Sequence, residues 1–187
     1  MTRLPSPADI IAFWRAAGPD RWFRSDPAFD LEVRDALLPA LEDAVARGAG
    51  ETPLADYEAT AEGSLALVLV LDQVPRNVFR GTPRAFATDA AARLVADRAC
   101  AAGFDQKVEP LLRGFLYLPG MHAEDLAAQE RAVTLYEALG DAEQLRYAII
   151  HRDIIARFGR FPHRNAILGR TMTAEEAQFL AEGGFAG

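Results

Sequence analysis

The chain has 187 residues, half of them hydrophobic and a quarter charged, with a formal net charge of −7. This length and apolar content suffice for a sizeable core without disulfides or structural metal, and the negative charge argues against general affinity for nucleic acid. Cys100 is the only cysteine, which excludes an internal disulfide, and no apolar secretion signal opens the sequence, so we expect a single cytoplasmic domain over residues 1–187.

Two helix start signals come first in the chain. Ser6 and Asp26 each precede a proline, the arrangement of an N-cap followed by proline in the first helical turn. The first helix should end near Gly18 and the second, longer one near Gly48, with a kink at Pro39.

The longest apolar run, Leu65–Leu71, predicts a helix at the centre of the fold, because its apolar residues face nearly every direction. It is far shorter than the roughly 20 residues that a membrane span requires. Thr60 can cap this helix, and Pro75 should end it near Val74 because proline disfavours helical backbone in the residue before it. Residues 76–87 should then form a loop or a short irregular helix.

Further helices are predicted along the rest of the chain, each bounded by capping residues, glycine or proline. They run from Thr88 to Gly103, from about Lys107 to Leu118, from about Ala123 to Leu139, from Asp141 to Phe158, and from a capping box at Thr173. No segment alternates as a strand does, and the connections are short. About eight helices are predicted in all, which favours an all-α fold of stacked antiparallel helix hairpins.

A first polar motif follows the central helix. Asp72, Gln73, Arg76, Asn77 and Arg80 contain spacings of four residues, so several of them would share one face if the turn stays helical. A buried helix that delivers polar groups at its end can form the floor of a ligand pocket. The same residues could instead cap backbone groups and pair with one another, and the sequence leaves both interpretations open.

A second polar motif surrounds His122. Glu124 and Asp125 follow it in the first turn of a predicted helix, where the helix dipole stabilises carboxylates. His122 and Glu124 could also act as an acid–base pair or as metal ligands. Their spacing matches no standard zinc pattern, so we predict no metal site.

The third motif, residues 151–170, is the most polar stretch of the chain and holds two of the three histidines and five arginines. His151 and Asp153 lie on the last turns of a predicted helix, with Asp153 placed to pair with Arg157 four residues later. A loop broken by glycine and proline follows, and its arginines suit the capture of carboxylate or phosphate. Buried arginines that bind carboxylates of other helices would give the same pattern. The loop carries Arg160, His163, Arg164 and Asn165.

Several classes of catalytic site have no signature here. The sequence contains no nucleophile elbow, P-loop or dinucleotide fingerprint, and Cys100 lies among alanines as a small buried side chain would. The aromatic pairs Phe13-Trp14 and Trp22-Phe23 favour core packing over a pocket wall. The sequence leaves both the cofactor and the oligomeric state open.

Long segments of the chain resemble one bacterial family, the uncharacterised domain of unknown function 924. The resemblance extends from about Ile10 to Leu180 and implies an all-α fold akin to tetratricopeptide-repeat superhelices. It implies no activity, substrate or cofactor. The segments that carry it are Phe13-Trp14, Trp22-Phe23, Leu71–Asp89, Phe115–Pro119, His122–Asp125, Gln129-Glu130 and His151–Arg170.

Three functions remain open. In the first, the arginines bind the phosphate or carboxylate of a small anionic molecule, histidines move protons and an aspartate orients an imidazole, with turnover left open. In the second, the chain is a helical-repeat interaction module that binds an acidic peptide. In the third, the polar motifs are purely structural. The candidate catalytic residues are His122, His151, His163, Asp72 and Asp153, and the candidate ligand-binding residues are Gln73, Arg76, Asn77, Arg80, Arg160, Arg164 and Asn165.

Overall fold

The computed structural model describes residues 4–186, and every regular element in this part of the chain is a helix. Its β-structure is limited to an isolated bridge between Ala49 and Thr52. The all-α fold class is therefore confirmed, while the tetratricopeptide-like arrangement stays a prediction. The α-helices are α1 (Pro7–Ala17), α2 (Pro19–Trp22), α3 (Pro27–Ala46), α4 (Ala55–Glu58), α5 (Ala61–Val68), α6 (Val74–Val78), α7 (Asp89–Ala101), α8 (Pro110–Arg113), α9 (Leu118–Met121), α10 (Leu126–Leu139), α11 (Ala142–Phe158) and α12 (Ala174–Ala181).

The helices divide between two compact units. The first unit extends to Arg80 and includes Arg84–Pro119, and the second comprises Gly81–Pro83 and the residues from Gly120 onward. The first unit therefore contains the first polar motif, and the second contains all three histidines. That the chain forms one domain stays a prediction.

Four of the predicted helix starts match observed side-chain caps. The Ser6 side chain accepts a hydrogen bond from the backbone of Asp9, whose carboxylate in turn accepts from the Ser6 backbone. Asp26 and Asp141 each accept two backbone N–H groups, and Thr173 opens α12 with the predicted capping box. These caps satisfy N–H groups that lack a partner inside the helix, which explains why local sequence locates helix starts well.

The core of the first unit surrounds the central apolar helix. No residue of Leu65–Leu71 is more than 2% exposed. Aromatic rings pack beside it, with Trp14 edge-on to Phe115 at 6.0 Å between ring centroids. The Trp22 indole Nε1 donates to the Trp14 carbonyl at 2.7 Å, so both tryptophans belong to the core.

The chain stays helical past Pro75, where a stop near Val74 was predicted. Leu69–Gln73 forms a π-helical segment that leads directly into α6. Pro75 has no N–H to donate to the Leu71 carbonyl, and the Thr88 hydroxyl donates to that carbonyl instead, at 2.5 Å. Asn77 likewise donates its side-chain amide to the Gln73 carbonyl at 2.9 Å. Side chains therefore satisfy backbone groups at this turn and keep the polar residues after Leu71 on a helix.

The second unit is built on the α10–α11 hairpin, whose two helices pack together across Gly140. Gly140 has a φ of 79°, a left-handed conformation that favours glycine. Two boundaries differ from prediction: α10 begins at Leu126 because Asp125 is its cap, and the single helix expected over residues 107–118 is broken into shorter pieces.

Candidate functional site

Asp72 is the most deeply buried charged residue of the first motif, with no exposed surface. Its carboxylate accepts a hydrogen bond from the Gln73 side chain at 2.6 Å and faces Arg76 at 3.2 Å. Arg76 also binds Asp89 through two parallel hydrogen bonds of 2.9 and 3.0 Å. Burial alone would lower the pKa of Arg76, but the two carboxylates raise it above its usual value. The guanidinium of Arg76 therefore links two helices of the first unit.

The other members of this motif are also bonded within the first unit. Arg80 binds Asp30 through two hydrogen bonds of 2.9 and 2.8 Å, and the buried Asn77 amide bonds the Gln73 carbonyl. An anionic ligand would have to compete with Asp30, Asp72 and Asp89 for these arginines. This part of the predicted site thus has a clear structural role.

Arg160 has a similar role in the second unit. It donates to both oxygens of Glu176 at 2.6 and 2.9 Å and to the Thr171 carbonyl at 2.9 Å. The Asn165 amide contacts the same carboxylate at 3.2 Å. Hydrogen bonds from Arg160 and from the Thr173 backbone lower the pKa of Glu176 to about 2. These contacts fix the polar loop to the first turn of α12.

Arg157 provides a matched comparison for Arg160, because both bind neighbouring glutamates of α12. The Arg160–Glu176 pair has side chains 30% and 3% exposed, whereas the Arg157–Glu175 pair is 52% and 63% exposed. We expect Arg160→Ala to lower the midpoint of thermal unfolding by roughly 4–8 °C, since a buried carboxylate loses its partner. Arg157→Ala should lower it by no more than about 2 °C. If circular-dichroism melts showed equal decreases in the unfolding midpoint for the two variants, the structural role of Arg160 would be contradicted.

Glu124 anchors the start of the polar loop. Its Oε1 accepts from the Phe161 backbone N–H at 2.9 Å and from Arg170 at 2.8 Å. Burial would raise the pKa of Glu124, but these two hydrogen bonds and the nearby charge of Arg164 lower it. Glu124, for which the sequence left an acid–base role open, is therefore ionised near pH 7 and bonds the loop.

The three histidines converge within the second unit. The His151 ring lies 6.3 Å from the His122 ring and 5.4 Å from Phe161, between centroids. His163 lies 5.6 Å from Phe161. Phe185 contacts both His151 at 4.5 Å and His163 at 5.6 Å. We call His122, His151, His163 and these two phenylalanines the histidine cluster.

His151 has a defined tautomer in this cluster. Its Nδ1 lies 2.8 Å from the Tyr147 carbonyl, an acceptor, so Nδ1 carries the hydrogen and Nε2 presents a lone pair. Within the described residues no hydrogen bond reaches Nε2. Burial, with the charge of His122, lowers the pKa of His151 to about 3. His151 is therefore neutral near pH 7, donates through Nδ1 and has an Nε2 that can accept a hydrogen bond.

The remaining predicted residues have different surroundings. Arg164 is buried with its guanidinium carbon 4.5 Å from the centre of the Phe161 ring. The Asp153 side chain is 62% exposed and pairs with Arg152, whereas Arg157 pairs with Glu175, so the expected Asp153–Arg157 pair does not form. Asp153 thus orients no imidazole among the residues described.

Sequence reasoning missed two residues, one that binds Arg160 and one that belongs to the histidine cluster. Glu176 was recognised as part of a capping box but not as the partner of Arg160, and Phe185 carries no sequence signal that would place it beside histidines. Capping potential is a local property, whereas a contact between residues 16 or more apart in the chain depends on the fold. Of the two, only the Glu176 contact had a signal in the sequence: the excess of arginine between residues 146 and 170 implies carboxylate partners elsewhere in the chain.

The described residues contain no cluster of metal ligands and no activated thiol. In residues 4–186, no group of three or more His, Cys, Asp or Glu side chains is placed to hold a metal ion. Burial and two nearby aspartates raise the pKa of Cys100 to about 12, so its thiol is protonated and unreactive near neutral pH. Residues 4–186 include no helix with both the length and the apolar character needed to cross a membrane.

Fold and site together define an all-α protein in which one unit gathers histidines, aromatic rings and a buried arginine. The chain belongs to the family described as "Bacterial protein of unknown function (DUF924)", whose model matches residues 10–184. A solved structure, titled "Structure of Protein of Unknown Function ATU0120 from Agrobacterium tumefaciens", is 51% identical, with a TM-score of 0.88 and coverage of 95% of this chain and 97% of that one. No curated protein matches the sequence.

Proposed function

We propose that the histidine cluster binds a small molecule that carries a carboxylate or phosphate together with a hydroxyl group. The observation that carries this proposal is the convergence of all three histidines of the chain around Phe161 and Phe185. A single histidine on an apolar face is often a core residue. Three histidines that lie together beside a buried arginine provide several hydrogen-bonding groups in one place, as ligand sites do.

The charges around the cluster favour an anion. Arg164 is one of the positive charges here: after the hydrogen bonds from Arg170 and the Phe161 backbone it lowers the pKa of Glu124, and after burial and His122 it lowers the pKa of His151. A guanidinium suits a carboxylate or phosphate because it can donate two parallel hydrogen bonds. Arg164 would bind the acidic group of the ligand, and the neutral Nε2 of His151 would accept a hydrogen bond from its hydroxyl.

The protonation state of His151 restricts its chemical role. A group with a pKa of about 3 is a weak base and takes up few protons near pH 7. If the bound ligand is turned over, His122 and His163 are the better candidates for proton transfer. His151 would then orient the ligand, as its bond to Tyr147 fixes the ring.

The other predicted ligand-binding arginines have carboxylate partners within the chain. Arg76, Arg80 and Arg160 already bind carboxylates of the chain itself. An acidic peptide therefore has less support as the partner, because these three arginines would have to leave their own carboxylates to bind it. Arg160 contributes by holding the loop that carries His163 and Arg164.

A thermal-shift screen tests the proposal with hydroxycarboxylates, phosphomonoesters and their analogues that lack the hydroxyl. A ligand at 100 times its Kd should raise the midpoint by roughly 5–10 °C, because selective binding to the folded state stabilises it by about 2.7 kcal/mol. Arg164→Met should abolish that shift. Arg84→Met is the matched control, since Arg84 also stacks on a phenylalanine, at 3.7 Å from Phe79, outside the cluster. A shift that survives in Arg164→Met would refute the site.

A further inference from the structure

Phe185 covers the histidine cluster on one side. Its ring centroid lies 4.5 Å from that of His151 and 5.6 Å from that of His163. It packs against the apolar group formed by Ile154, Ile155 and Phe161. Phe161 has no exposed surface, whereas Phe185 is only partly buried, so Phe185 is the outer of the two phenylalanines.

The backbone that carries Phe185 is weakly attached. Within residues 4–186, the last backbone hydrogen bonds before Phe185 run from Gly183 to the Leu180 carbonyl at 3.2 Å and from Gly184 to the Phe179 carbonyl at 2.9 Å. In the described structure no hydrogen bond holds the backbone of Phe185 or Ala186. Segments with few hydrogen bonds and partial burial open at low free-energy cost.

The turn before Phe185 requires glycine. Gly183 has a φ of +85°, which side chains rarely adopt, and a Cβ on Gly184 would lie 2.5 Å from the Phe179 ring. Two consecutive glycines therefore direct the chain back towards the cluster and give it the rotational freedom of a hinge. Among the described residues, this turn and the packing of the Phe185 ring against the cluster and its apolar neighbours set the position of Phe185.

We propose that residues 184–186 act as a movable strap, whose Phe185 ring closes the histidine cluster and swings away to admit the ligand. The identity of the admitted molecule rests on the proposed function. The opening itself does not, because it is a property of the protein without ligand.

Diethyl pyrocarbonate measures the opening directly. The lone pair of a neutral imidazole nitrogen attacks its carbonyl carbon, an N–C bond forms, and ethyl carbonate leaves. His151 presents such a lone pair at Nε2. His122, His151 and His163 lie in three different tryptic peptides, so mass spectrometry separates their labelling rates.

We expect Phe185→Ala to accelerate labelling of His151 by about tenfold or more, since the rate follows the population of the open state. Phe158→Ala is the control, because Phe158 packs on Phe179 at 5.2 Å in the same apolar group and makes no ring contact with a histidine. Equal acceleration in both variants would show general loosening of the group and overturn the strap. Unchanged labelling in Phe185→Ala would also overturn it.

Repeating the labelling of Phe185→Ala with inorganic phosphate or citrate separates this inference from the proposed function. Slower labelling of His151 in the presence of either anion would support both the strap and the anion site. Acceleration by Phe185→Ala with no protection by either anion would support the strap and count against an anion site.

Discussion

Arg76→Met should destabilise the protein by about 3–5 kcal/mol, the cost of leaving a buried charge without its counter-charge. Asp72 has no exposed surface, and Asp89 loses both of its hydrogen bonds to the guanidinium. Methionine keeps most of the volume of the side chain, so the loss reports charge and hydrogen bonding more than packing. The midpoint of urea unfolding, at an unchanged slope, measures the effect.

Arg80→Met is the control for this experiment. Arg80 also binds an aspartate through two hydrogen bonds, but its side chain is 43% exposed, so the loss should be within about 1 kcal/mol. Adding Asp72→Asn to Arg76→Met should recover part of the stability, because it removes the buried charge. A double variant no more stable than Arg76→Met would mean that the Asp72 charge is not the source of the cost.

Helix starts could be predicted from the sequence because their cause is local. Ser6, Asp26, Asp141 and Thr173 each bond N–H groups within three residues, so residue type and spacing suffice. Pro75 failed as a stop signal for a non-local reason. The carbonyl that it leaves without a helical donor is satisfied by Thr88, which lies 17 residues from Leu71.

The candidate residues could be selected from the sequence, but their partners could not. Arg160 meets Glu176 across 16 residues, and Glu124 meets Arg170 across 46. An arginine that binds a ligand and one that binds an internal carboxylate have the same sequence signature, since both use the same donor geometry. The fold supplies the missing information, because it shows that Arg160 binds Glu176.

His151 should make the protein less stable as the pH falls from 7 to 5. Its pKa is about 3 in the folded state and 6.5 for an unperturbed histidine, so between these values the unfolded state binds more protons. The contribution of neutral His151 to the free energy of unfolding is therefore fully present above pH 6.5 and is lost as the pH falls from 6.5 towards 3. The expected loss between pH 7 and pH 5 is about 2 kcal/mol, and the full window corresponds to roughly 4–5 kcal/mol.

Urea unfolding of the wild type and His151→Phe at several pH values isolates this contribution. Phenylalanine retains an aromatic ring and cannot titrate, so the difference between the two stabilities should shrink or reverse by about 2 kcal/mol from pH 7 to pH 5. Carboxylates such as Glu176, with a lowered pKa, act at lower pH and contribute little in this range. Parallel curves for the two proteins would mean that His151 is protonated as readily in the folded state as in the unfolded one. The inference that Nε2 of His151 is unprotonated, on which the proposed ligand site depends, would then be wrong.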